Sequence, residues 1–279
     1  MLRRLIKRIR GRHTSSGPST VPIEAPLVPS SVTKPLSMAD WTPIDAQLYT
    51  DWTPLLRTEI QAWLNGKAPP PNPEALGPDI YTVPLFSEDG CRRLCQELHA
   101  FETWSLAHQV DVSQPNSMHQ YGLILAQIQM QPALQSLVSS IESLWVNRFP
   151  EVGSDSLDGL HSFLVSYSKS KGDSDLGFHV DNSEVTLNIT IQAATEGAEI
   201  YFQGRRCEHH RQGPHRDHES LVFSHQLGSM MIHTGAHRHG VLPIVSGHRK
   251  SIILWLSSSQ YRKESQGGCE PWCGDYSNS

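Results

Sequence analysis

The sequence predicts a mainly β fold with supporting helices, and three observations carry that reading. Helical periodicity is confined to the first half, where Leu94, Leu98 and Phe101 follow a capping Ser87 and a second apolar stripe follows Pro132. Past Leu160 the segments shorten, and several alternate polar and apolar residues with period two. Turn residues bound these segments at close spacing. Helices first and short strands afterwards argue for a helix-supported β-sandwich or barrel.

The first segment, Met1 to Arg12, carries six basic residues and no acid, with Leu2, Leu5, Ile6 and Ile9 on one helical face. An organelle transit peptide and a solvated basic tail describe it equally well, and either places the chain in the cytoplasm or an organelle rather than outside the cell. Ser, Pro and Thr dominate as far as residue 37, so 1–37 reads as a disordered tail and linker. Two copies of Asp-Trp-Thr-Pro follow, at 40–43 and 51–54. Each offers Thr as N-cap and Pro as first helical residue, and the second helix is expected to run through Leu55, Ile60 and Trp63 and stop near Gly66. Residues 38–77 thus read as a helical appendage ending in the Pro-rich stretch at 69–73.

A domain proper is expected over 78–260, with a tail over 261–279. It opens with a strand from Ile80 to Leu85 and the helix capped by Ser87, on which Cys91 and Cys95 read as small packed residues rather than a metal pair. A loop at 115–122 precedes the helix opened by Pro132, whose stripe is Leu134, Leu137, Val138, Ile141, Leu144 and Trp145. The expected strands are 162–168, 185–191, 199–202, 221–223, 229–233 and 251–257.

Composition narrows the function classes. A net charge of -5 gives no global case for nucleic acid or an anionic membrane. Five scattered cysteines fit free thiols in a reducing compartment better than a disulfide framework. No apolar run reaches the length of a transmembrane segment.

The chemistry concentrates at Gly177-Phe178-His179-Val180-Asp181-Asn182. His179 and Asp181, two apart, leave the same face of an extended backbone. Two thirds of a 2-His-1-carboxylate iron site are thereby in place. His239 can complete it; His233, His237 and His248 are rivals, with His237 the reserve. Arg249, ten residues after His239 and followed by an apolar strand, presents a fork suited to a carboxylate. By strand parity Ser251 points with Arg249, while Thr186, Asn188 and Thr190 share a face.

With Leu176-Gly177-Phe178-His179-Val180-Asp181-Asn182, Ile200-Tyr201-Phe202 and His237-Arg238-His239-Gly240, the pattern resembles the Fe(II)/2-oxoglutarate-dependent dioxygenases of the prolyl-4-hydroxylase-like branch. It looks closest to the 2-oxoglutarate and iron-dependent oxygenase domain-containing proteins, over roughly 78–257. The resemblance implies a double-stranded β-helix, or jelly roll, a choice that periodicity alone does not make. Implied too are Fe(2+) on His179, Asp181 and His239, with 2-oxoglutarate, O2 and L-ascorbate as co-substrates or cofactors. Arg249 and Ser251 would then hold the distal carboxylate, with Tyr167 and Asn188 beside the oxo acid. The reaction so implied hydroxylates a protein side chain or small molecule and releases succinate and CO2. A zinc site of the same composition and a non-enzymatic jelly-roll binding protein for metal or 2-oxoglutarate are the competing readings; neither needs both the open ligand face and Arg249.

Two stretches stay outside this scheme. The His- and Arg-rich loop 204–220 reads as exposed and polar, in preference to a second metal site. Cys269 and Cys273 in the tail have no second pair in the local sequence, so zinc binding there has little support.

Overall fold

The computed structural model describes residues 36–275 except 120, 171, 266 and 267. The basic segment and all of the linker before Leu36 therefore lie outside the described residues. In chain order the helices are α1 (Thr58–Leu64), α2 (Glu88–Ala107), α3 (Gln131–Ile141) and α4 (Ser259–Glu264). The strands are β1 (Glu74–Gly77), β2 (Ile80–Pro84), β3 (Gly122–Ile124), β4 (Gly159–Ser168), β5 (Leu176–His179), β6 (Val185–Gln192) and β7 (Glu196–Gly197). They continue with β8 (Ile200–Arg205), β9 (Ser220–Phe223), β10 (Ser229–Thr234), β11 (His237–Val241), β12 (Ile244–Ser246) and β13 (His248–Ser257).

The strands form a seven-stranded sheet ordered β1-β2-β10-β6-β13-β4-β3, facing a four-stranded sheet ordered β5-β11-β8-β9, with β7 and β12 as a separate pair. Neighbours in the two large sheets run antiparallel. This is the jelly roll. β13 is the organising strand, bonded along its length to β4 on one side and to β6 on the other. Its alternation divides the molecule. Ile252, Leu254 and Leu256 join Leu187 and Ile189 of β6 in a core shared with Leu94, Leu98 and Phe101 of α2 and Leu134, Leu137 and Ile141 of α3. Arg249, Ile253 and Trp255 face the other way, into a chamber between the sheets with Phe163, Val165 and Tyr167 of β4. Period two in the sequence thus becomes two environments, one dry and aliphatic, the other lined with polar groups.

Residues 38–64 belong to the main core. Leu48, Trp52, Leu55, Leu56 and Ile60 are buried in it, and the buried Glu97 of α2 accepts from the Asp45 amide and the Tyr49 hydroxyl, both at 2.8 Å. The helix starts expected at the Thr-Pro pairs differ from what is found. Thr42-Pro43 starts no helix, and Thr53-Pro54 opens only a 3₁₀ turn, capped by the Asp51 carboxylate accepting from the Thr53 amide. The chain leaves that turn because Leu56 bridges to Phe86 and the Arg57 amide donates to the Leu85 carbonyl; α1 starts afterwards and ends near Gly66, at φ 69°. Tertiary pairing has overridden a local helix signal.

Both domain edges read from the sequence also fall inside structure. The break at 77/78 cuts the β1–β2 hairpin, in which Ala75 opposes Tyr81, and the break at 260/261 cuts α4. Ser258 caps α4 by accepting from the Tyr261 amide. Arg262 then pairs with Glu184 at 2.9 Å, tying α4 to the turn before β6. Among the described residues, no helix is long and apolar enough to cross a membrane.

Gly90, in the first turn of α2, tests how closely the early segment is docked. A Cβ there would sit 2.3 Å from the Leu55 carbonyl oxygen. In an open helix Gly→Ala stabilises by about 1 kcal/mol. Gly90→Ala should instead destabilise by about 1–3 kcal/mol, the usual cost of overpacking, as read by urea denaturation. A stabilised variant would show that residues 53–55 do not lie against α2.

Candidate active site

β5 and β11 pair with His179 opposite His239, which brings the two imidazole rings to 4.3 Å between centroids. Beyond the end of β5, the Asp181 amide donates to the Gly235 carbonyl at 3.0 Å. A side chain at 235 would collide with the Ser183 carbonyl at 2.0 Å, so this close approach requires glycine. The turn returns the carboxylate to the imidazoles: His179 Nε2 lies 3.4 Å from Asp181 Oδ1, and His239 Nε2 lies 3.8 Å from Asp181 Oδ2. One donor atom from each residue falls within 4.8 Å of the others, a spacing that could hold a metal ion.

The hydrogen bonds behind the ligand atoms fix their chemistry. His179 Nδ1 meets the Gly177 carbonyl and His239 Nδ1 meets the His237 carbonyl, each at 2.8 Å. A carbonyl can only accept, so each Nδ1 carries a proton and each Nε2 is turned to the centre. The Thr186 hydroxyl donates to Asp181 Oδ2 at 2.7 Å and accepts in turn from Ser183. Burial works against a charge on Asp181, but the His239 and His179 imidazoles outweigh it and hold the carboxyl well below its usual range. Burial pushes His239 down to about 3 despite the neighbouring carboxylate. Two imidazoles and a carboxylate suit a borderline divalent cation such as Fe(II).

The rival histidines are placed otherwise. His237 is buried with its ring 4.9 Å from that of Phe202 and contributes its carbonyl, not its imidazole, to the site. His233 turns Nδ1 to the Thr234 carbonyl and packs its ring against His239. His248 is exposed at the start of β13.

Deeper in the chamber, Arg249 is 1% exposed. Its guanidinium lies 4.8 Å over the Tyr167 ring and donates to the Ala198 carbonyl (3.2 Å) and to Ser251 Oγ (3.3 Å), while Nε has no partner. Among the described residues no carboxylate pairs with it. Burial pushes it down to about 10, so it stays charged at neutral pH. Asn188 lines the same chamber with an unpartnered Oδ1, and Thr186 is beside it. Thr190, which shares their parity, bonds His225 instead. Sequence reasoning missed His119: the loop 115–122 brings it in, with Nδ1 at 3.1 Å from Asn116 Oδ1 and Nε2 at 3.3 Å from the Tyr167 hydroxyl. A lone histidine in a polar loop carried no periodic signal. Cys91 and Cys95 bond carbonyls of β6 and join no metal-spaced group.

A jelly roll with two imidazoles and a carboxylate at its mouth, and a buried unpaired guanidinium behind them, has the architecture of the iron- and 2-oxoglutarate-dependent oxygenases. Comparison with known proteins agrees. Residues 70–154 match the family model described as OGFOD2-like domain. The chain is 38% identical over 200 residues to the 2-oxoglutarate and iron-dependent oxygenase domain-containing protein ICU11 of Arabidopsis thaliana, covering 71% of this chain and 50% of that one. It is 31% identical to the 2-oxoglutarate and iron-dependent oxygenase domain-containing protein 2 of Homo sapiens, over 66% of this chain and 50% of that one. Among solved structures, a Trichoplax adhaerens prolyl hydroxylase in complex with a hypoxia inducible factor peptide fragment superposes with a TM-score of 0.47 at 15% identity, over 77% of this chain and 94% of that one. The chain is similar to the 2-oxoglutarate and iron-dependent oxygenase domain-containing proteins, and it spans about half the length of the curated proteins it matches.

The Thr186 bond to Asp181 can be tested alone. Thr186→Val keeps the shape and removes the donor, so Fe(II) affinity should fall about 10- to 100-fold, the usual cost of losing a group that orients a ligand. Anaerobic metal titration measures this. An unchanged affinity would mean that Asp181 is oriented without Thr186.

Proposed function

We propose that this chain is an Fe(II)- and 2-oxoglutarate-dependent dioxygenase that hydroxylates a protein side chain or a small molecule. The observation that carries the reading is Arg249. A guanidinium this deeply buried without a carboxylate is costly to keep, and a dianionic co-substrate relieves that cost. His179, Asp181 and His239 would hold the iron by two Nε2 atoms and a carboxylate oxygen, leaving the opposite face open. Arg249 would take the distal carboxylate of 2-oxoglutarate by its fork, with Ser251 holding the guanidinium in orientation. Tyr167, bonded to His119, and Asn188 would meet the polar middle of the oxo acid. Ile200, Val241 and Ile253 line the same chamber and keep water from it.

Bound iron and 2-oxoglutarate supply the oxidation, in which O2 is consumed, CO2 and succinate are released, and one oxygen atom enters the prime substrate. The protein's own part is positioning. Asp181 belongs to the chamber wall and also to a broad surface cleft bordered by Met118, Asn182, Glu184, Arg211 and Trp272. The prime substrate would approach the metal along that cleft while the co-substrate occupies the chamber. Mixed charge on the cleft rim suits a polar substrate.

Arg249→Ala removes a cation but no metal ligand, so iron affinity without co-substrate should change little. Affinity for 2-oxoglutarate should drop by about 2–5 kcal/mol, as for other truncated buried charge pairs, or roughly 30-fold to several-thousand-fold. Arg249→Lys should recover part through charge without the two-pronged geometry. Titrating 2-oxoglutarate into the iron-loaded, oxygen-free protein and following the metal-to-ligand absorption band reads this directly. Equal affinity in wild type and Arg249→Ala would sink the assignment.

A further inference from the structure

A second group of ligand atoms lies on the far side of the cleft and shares no residue with the first. The loop after β8 supplies Cys207 and His210, and the segment beyond α4 supplies Cys269 and Cys273. The three sulfurs lie 3.4, 3.4 and 3.5 Å from one atom, His210 Nδ1. We infer that these four residues form a structural zinc(II) site that clasps the 269–275 segment to the loop 204–220.

Hydrogen bonding does not account for the arrangement. An imidazole nitrogen has a single in-plane direction in which to donate or accept, so it can serve one thiol well and not three. A tetrahedron does account for it. With zinc–sulfur bonds of about 2.3 Å and a zinc–nitrogen bond of about 2.05 Å, each sulfur–nitrogen edge should be about 3.6 Å. The observed distances match that edge to within about 0.2 Å, and all four ligand atoms lie within 4.8 Å of one another. Cys-x2-His and Cys-x3-Cys are the short loops from which such ligands come. The Cys207 amide points at Cys273 Sγ from 3.4 Å, as a donor to a thiolate would.

The surroundings hold the two halves together. Arg206 is fully buried and bonds Asp275 on one side and both Glu219 oxygens on the other, at 2.7 and 2.8 Å. Its guanidinium packs against Gly274, where a Cβ would lie 2.3 Å away. The Gly274 amide donates to the Arg205 carbonyl, and Arg205 lies over the Trp272 ring. Three thiolates, a neutral imidazole and zinc would carry one net negative charge, while Arg206 is already matched by Glu219 and Asp275, and Arg205 by Asp79 and Glu151. A tetrahedral set of three thiolates and one imidazole suits zinc, and four protein ligands would leave no open position, which fits a structural role. Cys207 and Trp272 line the same cleft as Asp181, so the clasp fixes one wall of the path to the oxygenase site.

The test uses the full chain, purified reduced and without added zinc, with metal measured by mass spectrometry. Wild type and Asp181→Ala should each carry one zinc per chain, and a mercurial thiol reagent should release it. Cys269→Ser/Cys273→Ser should lose it, and 269–275 should become open to protease. His210→Cys, which preserves four ligands, should keep it. Should the double variant fail to fold, cobalt(II) exchanged into wild type decides: thiolate-to-cobalt charge transfer with intense tetrahedral d–d bands is expected. Zinc that vanishes in Asp181→Ala, cobalt spectra without thiolate bands, or thiols recovered as disulfides with no zinc would each overturn the inference. The Asp181→Ala arm separates this outcome from the fate of the oxygenase reading.

Discussion

A buried positive charge that no carboxylate among the described residues pairs with is the constraint around which the chamber is built. Taking a guanidinium out of water costs several kcal/mol even after the protein relaxes. Arg249 recovers part of that from the Tyr167 face, the Ala198 carbonyl and Ser251. Those partners lie on three different segments, and Tyr167 and Ser251 are held in place because β13 is bonded to β4 along its whole length and to β6 over Lys250–Leu256. An interior strand of the larger sheet is therefore also a wall of the site. A side chain on a loop could not keep an unpaired charge in so fixed a place.

The metal-spaced triad follows the same logic with less burial cost. His179 and His239 are cross-strand neighbours, so backbone pairing sets their separation, and backbone carbonyls set their tautomers. Asp181 is outside the ladder and needs Gly235 and Thr186 to return it to the imidazoles. Geometry in this site is supplied mostly by main chain, and side chains are used where the main chain stops.

Much of this was legible because the informative residues are local or periodic. His179 and Asp181 are two apart, and the odd–even alternation of β6 and β13 placed Asn188 and Arg249 on inward faces. β5, β11 and β12 gave weaker signals: β5 and β12 are only four and three residues long, and β11 is His-Arg-His-Gly-Val with no apolar alternation. The Thr-Pro helix starts were misread because Leu56 and Arg57 are claimed by the strand end at Leu85 and Phe86. The reading of 204–220 as an exposed polar loop holds for most of 208–218, while Arg205, Arg206 and Cys207 are buried. Cys207 and His210 meet Cys269 and Cys273 only when a segment about sixty positions later folds onto them, and no local window contains both halves.

The alternation along β13 has a consequence for how such a chain can change over time. Residues 252, 254 and 256 answer to the aliphatic core, and residues 249, 251, 253 and 255 answer to the chamber or its arginine. Neighbours in sequence are thus under separate selective pressures, one for remaining folded and one for what the chamber admits. Ile253 or Trp255 can drift toward a different shape of ligand while Ile252 and Leu254 hold the sheet against its helices. One strand in this way lets selectivity diversify on a scaffold that stays the same.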